Sequence, residues 1–168
     1  NYFEVLYFNK SGGFHEIDFK SYPIEKNCVH FVSPGQVHLL RRNPEVTGYV
    51  LSFTDDFFLD KASGAMFIDT LPFFINPTAD PIVKVENEEH TAEIFDIINR
   101  IHKEYGSPHA DKAQVLASWM SLFLIFCRRL YMNKSKSVEF SSIKNDITRK
   151  FKKLVENNFS ENKSVSEY

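Results

Sequence analysis

His30-Phe31-Val32-Ser33-Pro34-Gly35-Gln36-Val37-His38 is the stretch on which the fold turns. It reads as a buried strand, a tight turn, and a second strand that opens on a histidine. Proline presets φ for the first turn position and glycine relieves crowding at the next, so Pro34-Gly35 reverses the chain sharply. An earlier stretch, Gly12-Gly13-Phe14-His15-Glu16-Ile17-Asp18-Phe19, enters a strand from a glycine turn. It places one more histidine in an apolar ladder, with Glu16 beside it and therefore pointing to the opposite face.

Outward from these segments, residues 2–8, 14–19, 28–32, 36–40, 46–53 and 82–85 read as strands, being short, aromatic and β-branched. Residues 9–13, 33–35 and 42–44 supply the turns between them. Of 25 aromatic residues, 15 precede Ile75, so large rings fill or line whatever the strands enclose. Many short strands joined by tight turns predict a β-barrel or sandwich. Thr54-Asp55-Asp56 before Phe57-Phe58 predicts one capped helical turn, with acids at its positive end.

The hydrophobic period changes after Glu86. Ile94, Ile97, Ile98, Ile101 and Tyr105 fall on one face of an amphipathic helix that Gly106 ends. Ser107-Pro108 then predicts a second helix over 108–133. Its stripe of Leu116, Trp119, Met120, Phe123, Cys127, Leu130 and Tyr131 is widened by Leu122, Ile125, Phe126 and Met132. A helix apolar over so much of its girth is buried on two sides. The expectation is a homodimer through Leu122, Ile125, Phe126 and Arg129, with burial against the first helix alone as the alternative.

Charge divides the chain. Residues 1–133 carry 12 basic against 17 acidic groups, a net −5, whereas 134–168 carry 8 against 5, a net +3. The first part is therefore a poor phosphate binder. Cys28 and Cys127 sit in apolar runs without CxxC spacing, which suits two buried free thiols. No apolar run approaches the ~20 residues of a membrane span and no signal-peptide pattern is present, so the expectation is a cytoplasmic protein with no membrane partner.

Residues 134–144 are polar and aperiodic, an expected linker. Ile147, Phe151, Leu154 and Val155 then mark a third helix, on which Arg149, Lys150 and Lys153 are candidate DNA-phosphate contacts. Ser164-Val165-Ser166-Glu167 reads as a capping box. Helix, short loop and helix start on a basic background predict the opening of a helix-turn-helix domain over 145–168, the rest of it lying beyond Tyr168.

The Pro-Gly-x-x-His run resembles the second signature of the cupin barrels. Together with Phe3-Glu4-Val5-Leu6-Tyr7-Phe8, His15-x-Ile17-Asp18-Phe19, Gly48-Tyr49-Val50-Leu51-Ser52-Phe53 and Phe151-x-x-Leu154-Val155-Glu156-x-x-Phe159, it is similar to the AraC family of bacterial transcription regulators. The resemblance implies an α+β fold: a cupin-like antiparallel β-barrel or jelly-roll over 1–86, a helical dimerisation pair over 87–133, a linker, and a truncated DNA-binding domain. It implies a small-molecule effector in the barrel, met by His38, His15, Tyr7 and His30, with DNA bound by the C-terminal domain. For His38 two roles stand open, bracing the turn by a backbone hydrogen bond or touching the effector. Metal-binding cupins carry His-x-His and a later glutamate in the first signature; here only His15 is present, and His15, His30 and His38 lie on three separate strands. The expectation is thus no metal, no cofactor and no catalytic residue, with a metal-dependent cupin isomerase or dioxygenase, or a barrel that only dimerises, as the alternatives.

Overall fold

A computed structural model describes residues 2–58, 67–75 and 79–134. The chain divides into two compact units, Asn1–Lys134 and Ser135–Tyr168, and the described residues all belong to the first. The expected linker, the third helix and its Arg149, Lys150 and Lys153 lie outside the described residues.

Among the described residues seven strands make two antiparallel sheets. β1 (Phe3–Phe8), β4 (Cys28–Val32), β6 (Gly48–Phe53) and β7 (Ile82–Lys84) form one in the order β6-β1-β4-β7, and β2 (Gly13–Ile17), β3 (Lys20–Pro23) and β5 (His38–Arg42) form the other in the order β3-β2-β5. The sheets face each other through Leu6, Phe8, Cys28, Val32 and Ile82 on one side and Ile17, Tyr22 and Leu40 on the other. No strand is shared between them, so among the described residues the expected closed barrel is an open two-sheet arrangement. The ladders show where it stays open: the end strands β6 and β7 of one sheet and β3 and β5 of the other each pair on one side only, and none of them pairs across to the other sheet.

Several boundaries differ from the sequence reading, two of them for reasons in the hydrogen bonding. The strand over 14–19 stops at Ile17, and an unpredicted strand, β3, returns along it. Asp18 and Phe19 make the two-residue turn with φ of 47° and 65°, the primed geometry that matches strand twist and that Asn-Gly ordinarily signals. Asp18 holds the turn by accepting hydrogen bonds from the Gln36 amide (2.7 Å) and the Val37 N–H (3.1 Å). The second shift is in β5, which begins at His38 instead of residue 36. Gln36 is tied back into the turn, its side chain accepting from the Ser33 N–H at 2.7 Å and its N–H donating to the Ser33 carbonyl at 3.2 Å.

The second face of the four-stranded sheet is covered by helices. Val5, Tyr7, Val29, Phe31, Phe53 and Val83 meet two 3₁₀ turns (Asp55–Phe58 and Phe67–Thr70), the short helix α1 (Pro72–Ile75), α2 (Glu88–Tyr105) and α3 (Lys112–Lys134). α2 follows the expected pattern: Asn87 caps it by accepting from the Glu89 N–H (2.7 Å), and Ile94, Ile97, Ile98 and Ile101 are buried. Tyr105, placed on the same stripe, is exposed at its end. Each buried isoleucine contributes roughly 1.5–3 kcal/mol by leaving water. α3 starts at Lys112, four residues later than expected, where the Asp111 carbonyl accepts from the Gln114 and Val115 N–H groups. Its stripe packs as read, with Met120, Phe123 and Cys127 buried, and Leu124 and Phe126 join them. Against the sequence expectation, α3 is long and apolar enough by length and composition to cross a membrane. Its inner side is packed into the core through Met120, Phe123, Leu124, Phe126 and Cys127, and 28% of that apolar stretch is buried.

Candidate functional site

Strand alternation decides which histidines meet. Along β2, His15 and Ile17 point between the sheets while Phe14 and Glu16 point away. β4 is buried on both faces, and its even positions Cys28, His30 and Val32 share the same interior. His38 opens β5 opposite Ile17, diagonal to His15.

The three rings, scattered over three strands, thus form one continuous chain. His15 Nδ1 lies 3.2 Å from His30 Nδ1, and His15 Nε2 lies 3.1 Å from His38 Nδ1. His38 Nε2 is 2.9 Å from a Glu4 carboxylate oxygen, and His30 Nε2 is 3.2 Å from the Cys28 sulfur. That thiol also lies 3.0 Å from the Glu25 carbonyl, to which it can donate. His15 and His30 are fully buried, with the Phe8 ring edge-on to His30 at 5.0 Å, while His38 and Glu4 keep 31% and 16% side-chain exposure. The chain therefore runs from the solvent-accessible His38–Glu4 end to the core at Cys28.

Burial governs its electrostatics. It pushes His30 down to about 3, with the neighbouring His15 adding to the effect, and His15 down to about 4, with His38 adding. Both rings are neutral at ordinary pH because a charge in this interior loses its hydration. The same desolvation raises the Cys28 thiol to about 11, which makes it a poor nucleophile.

Glu4 and Cys28 are the members that sequence reasoning missed. Their signal was parity: Glu4 shares its face with Leu6 and Phe8, and Cys28 with His30. Tyr7, expected beside the histidines, lies on the opposite face of β1, where its hydroxyl donates to Asn27 Oδ1 at 3.4 Å. A metal needs several donors converging on one point at about 2.0–2.1 Å. Here His15 turns opposite nitrogens to its two neighbours, and among the described residues no group of three His, Cys, Asp or Glu side chains could hold a metal ion.

A second feature lies on the helix side of the sheet. A groove of about 730 Å³ runs along β6, walled by Leu51, Phe53 and Phe57 on one side and Ile101, Leu116 and Met120 on the other. Tyr49 and His102 stand in its lining, and among the described residues no Lys, Arg, Asp or Glu contributes to it.

The residues expected to dimerise divide between surface and core. Leu122 is 43% exposed, Arg129 is exposed, and Ile125 is half-buried. Phe126 is buried, with its ring edge-on to His90 at 5.4 Å. Part of the wide apolar girth of α3 is used inside the unit, because the helix packs on α2 and also reaches β7 and the first 3₁₀ turn. Arg100 of α2 adds to this seam by lying over the Trp119 ring at 5.1 Å. No family model matches the chain, and no curated protein is significantly similar to it.

Proposed function

We propose that this unit is the effector-sensing and dimerising part of an AraC-type, DNA-binding transcription regulator of the cytoplasm, with a cupin-like sandwich as its sensor and no catalytic role. The observation that carries the reading is the groove between β6 and the α2–α3 pair. Its volume falls in the range of small-molecule sites, ~300–1,000 Å³, and an occupant would touch the sheet and both helices at once. Binding there can bias the exposed side of α3, where Leu122, Arg129 and Met132 are available to a second copy.

The histidine chain is the less suitable effector contact, because His15 and His30 spend both ring nitrogens on neighbours. Among the described residues the groove has no charged wall to neutralise an anionic or cationic ligand. The effector class that fits it is an uncharged, mainly apolar molecule, oriented by a hydrogen bond to the Tyr49 hydroxyl or the His102 ring. Arg149, Lys150 and Lys153 enter the same proposal as phosphate contacts of the DNA-binding part.

The test has two arms. Titration of the protein with the neutral dye Nile red, with and without Leu116→Arg, should show saturable binding that the charge in the groove abolishes; equal binding by both proteins removes the groove as the site. Fluorescence anisotropy of the full-length regulator on its own promoter and on scrambled DNA, over a salt series, should show sequence preference with a steep salt slope. Absence of any preference removes the regulator reading itself.

A further inference from the structure

The hydrogen atoms of the histidine chain admit two arrangements, and counting protons tells them apart. A neutral imidazole has one N–H and one bare nitrogen, so each ring passes on a single direction of donation. When His38 is neutral, it donates from Nε2 to the Glu4 carboxylate, and its bare Nδ1 must accept from His15 Nε2–H. His15 Nδ1 is then bare and accepts from His30 Nδ1–H. His30 Nε2 is bare in turn and accepts from the Cys28 thiol. Every link is in reach: 2.9, 3.1, 3.2 and 3.2 Å.

When His38 carries a second proton, both its nitrogens are donors. Glu4 still accepts from Nε2, but His15 must now present a bare Nε2 to His38 Nδ1–H. His15 therefore carries its proton on Nδ1 and donates to a bare His30 Nδ1. His30 then donates from Nε2 to the Cys28 sulfur, and the thiol hydrogen is left to the Glu25 carbonyl 3.0 Å away. The two arrangements differ by one proton, taken from solvent and held at His38. His15, His30 and Cys28 keep one proton each, moved to the other nitrogen or turned to the other acceptor.

We propose that His15, His30 and His38 form a tautomer relay in which protonation of His38 at the surface reverses every hydrogen bond inward to Cys28 and turns its thiol from His30 to Glu25. The lowered values of the two interior rings support this, because rings that stay neutral respond to a nearby proton only by changing tautomer. Other groups around the chain leave the direction unopposed. Glu4 from β1 and His15 from β2 face His38; Asp18 is committed to Gln36 and Val37; Arg41 and Arg42 lie further along β5. At the inner end, Glu25 pairs with Lys84 through its side chain at 2.6 Å, which leaves its carbonyl for the thiol. The relay thus reports a surface protonation at the turn between β3 and β4.

Long-range ¹H–¹⁵N NMR of the ¹⁵N-histidine-labelled protein through a pH titration reads each tautomer directly. Expected on acidification is transfer of the His15 proton from Nε2 to Nδ1 and of the His30 proton from Nδ1 to Nε2, both with the midpoint of the His38 ring. In His38→Gln, which takes up no proton, both interior rings should hold one tautomer across that range. In Glu4→Gln, where the acceptor of His38 Nε2–H becomes a neutral amide, the swap should persist, with both interior rings still changing tautomer at the midpoint of the His38 ring. Interior rings that keep their tautomers while His38 titrates overturn the relay, as does an unaltered swap in His38→Gln. Should His38→Gln fail to fold, Glu4→Gln decides, and interior rings that change tautomer at a midpoint other than that of the His38 ring overturn the relay.

Discussion

His15 and His30 come from different sheets, yet their rings stack 5.3 Å apart with planes inclined by only 12° and their Nδ1 atoms 3.2 Å from each other. A polar pair at the centre of a sheet–sheet interface is costly unless each nitrogen has a partner. These do, and no buried side-chain nitrogen or oxygen among the described residues is without one.

That pair should make the fold acid-sensitive. Both histidines titrate near 6.5 when unfolded and are held at about 4 and about 3 when folded, by burial first. Below pH 6.5 the unfolded chain therefore binds more protons than the folded one, and stability falls as pH falls. The loss is about 1.4 kcal/mol per pH unit for each histidine between its unfolded and folded values; it is absent above pH 7 and levels off below the folded values. Urea unfolding at pH 7.5 and pH 5 should show the decrease, and His30→Gln should flatten it. A pH-independent midpoint would mean that the rings are solvated in solution.

Replacing one ring alone should cost more than its size suggests. His30→Leu leaves His15 Nδ1 without its hydrogen-bond partner, while the Cys28 thiol keeps the Glu25 carbonyl as acceptor, a penalty of about 1–3 kcal/mol. His15→Leu similarly strips both His30 and His38. The double variant should be clearly less destabilised than the sum of the two, because neither leaves a stranded nitrogen on the other. Chemical denaturation of the three variants provides the cycle.

Gly48 and Gly35 should respond differently to alanine. A Cβ on Gly48 would stand 1.9 Å from the Tyr7 carbonyl oxygen, so β6 would have to leave β1, at a cost of about 2 kcal/mol or more. Gly35 has nothing within 4 Å and suffers only from its φ of +83°, about 1–2 kcal/mol. Thermal unfolding should therefore rank Gly48→Ala below Gly35→Ala.

On α3, two neighbouring apolar residues should separate stability from association. Phe126→Ala empties a core position and should cost about 3–5 kcal/mol. Leu122→Glu lies at the surface and should change stability by about 0.5 kcal/mol or less, and on the dimerisation proposed above it should yield monomers in light scattering where the unaltered protein yields dimers. Dimers that survive Leu122→Glu would place the contact on another surface.

Much of the strand and helix order was legible because it depends on local chemistry. Pro34-Gly35 marks its turn by what those residues do to φ, and the spacing of Ile94, Ile97, Ile98 and Ile101 marks the buried face of α2. β3 was not legible. Asp18-Phe19 is a poor primed-turn sequence on its own, and it holds only because Gln36 and Val37, distant in the chain, donate to Asp18. The apolar girth of α3 was visible too, but not its destination, since a partner chain and the chain's own sheet bury the same surface.

The sequence by itself determined the periodicities, the α+β character and the histidines at 15, 30 and 38, because side-chain size, φ preference and hydrophobic spacing act over a few residues. Only the tertiary structure decided that β1 and β2 saturate separate sheets, that Tyr7 faces the helices, and that the three rings link Glu4 to Cys28. Period-two alternation says which residues share a face and not which face turns inward; that depends on which apolar surfaces find each other when the sheets pack.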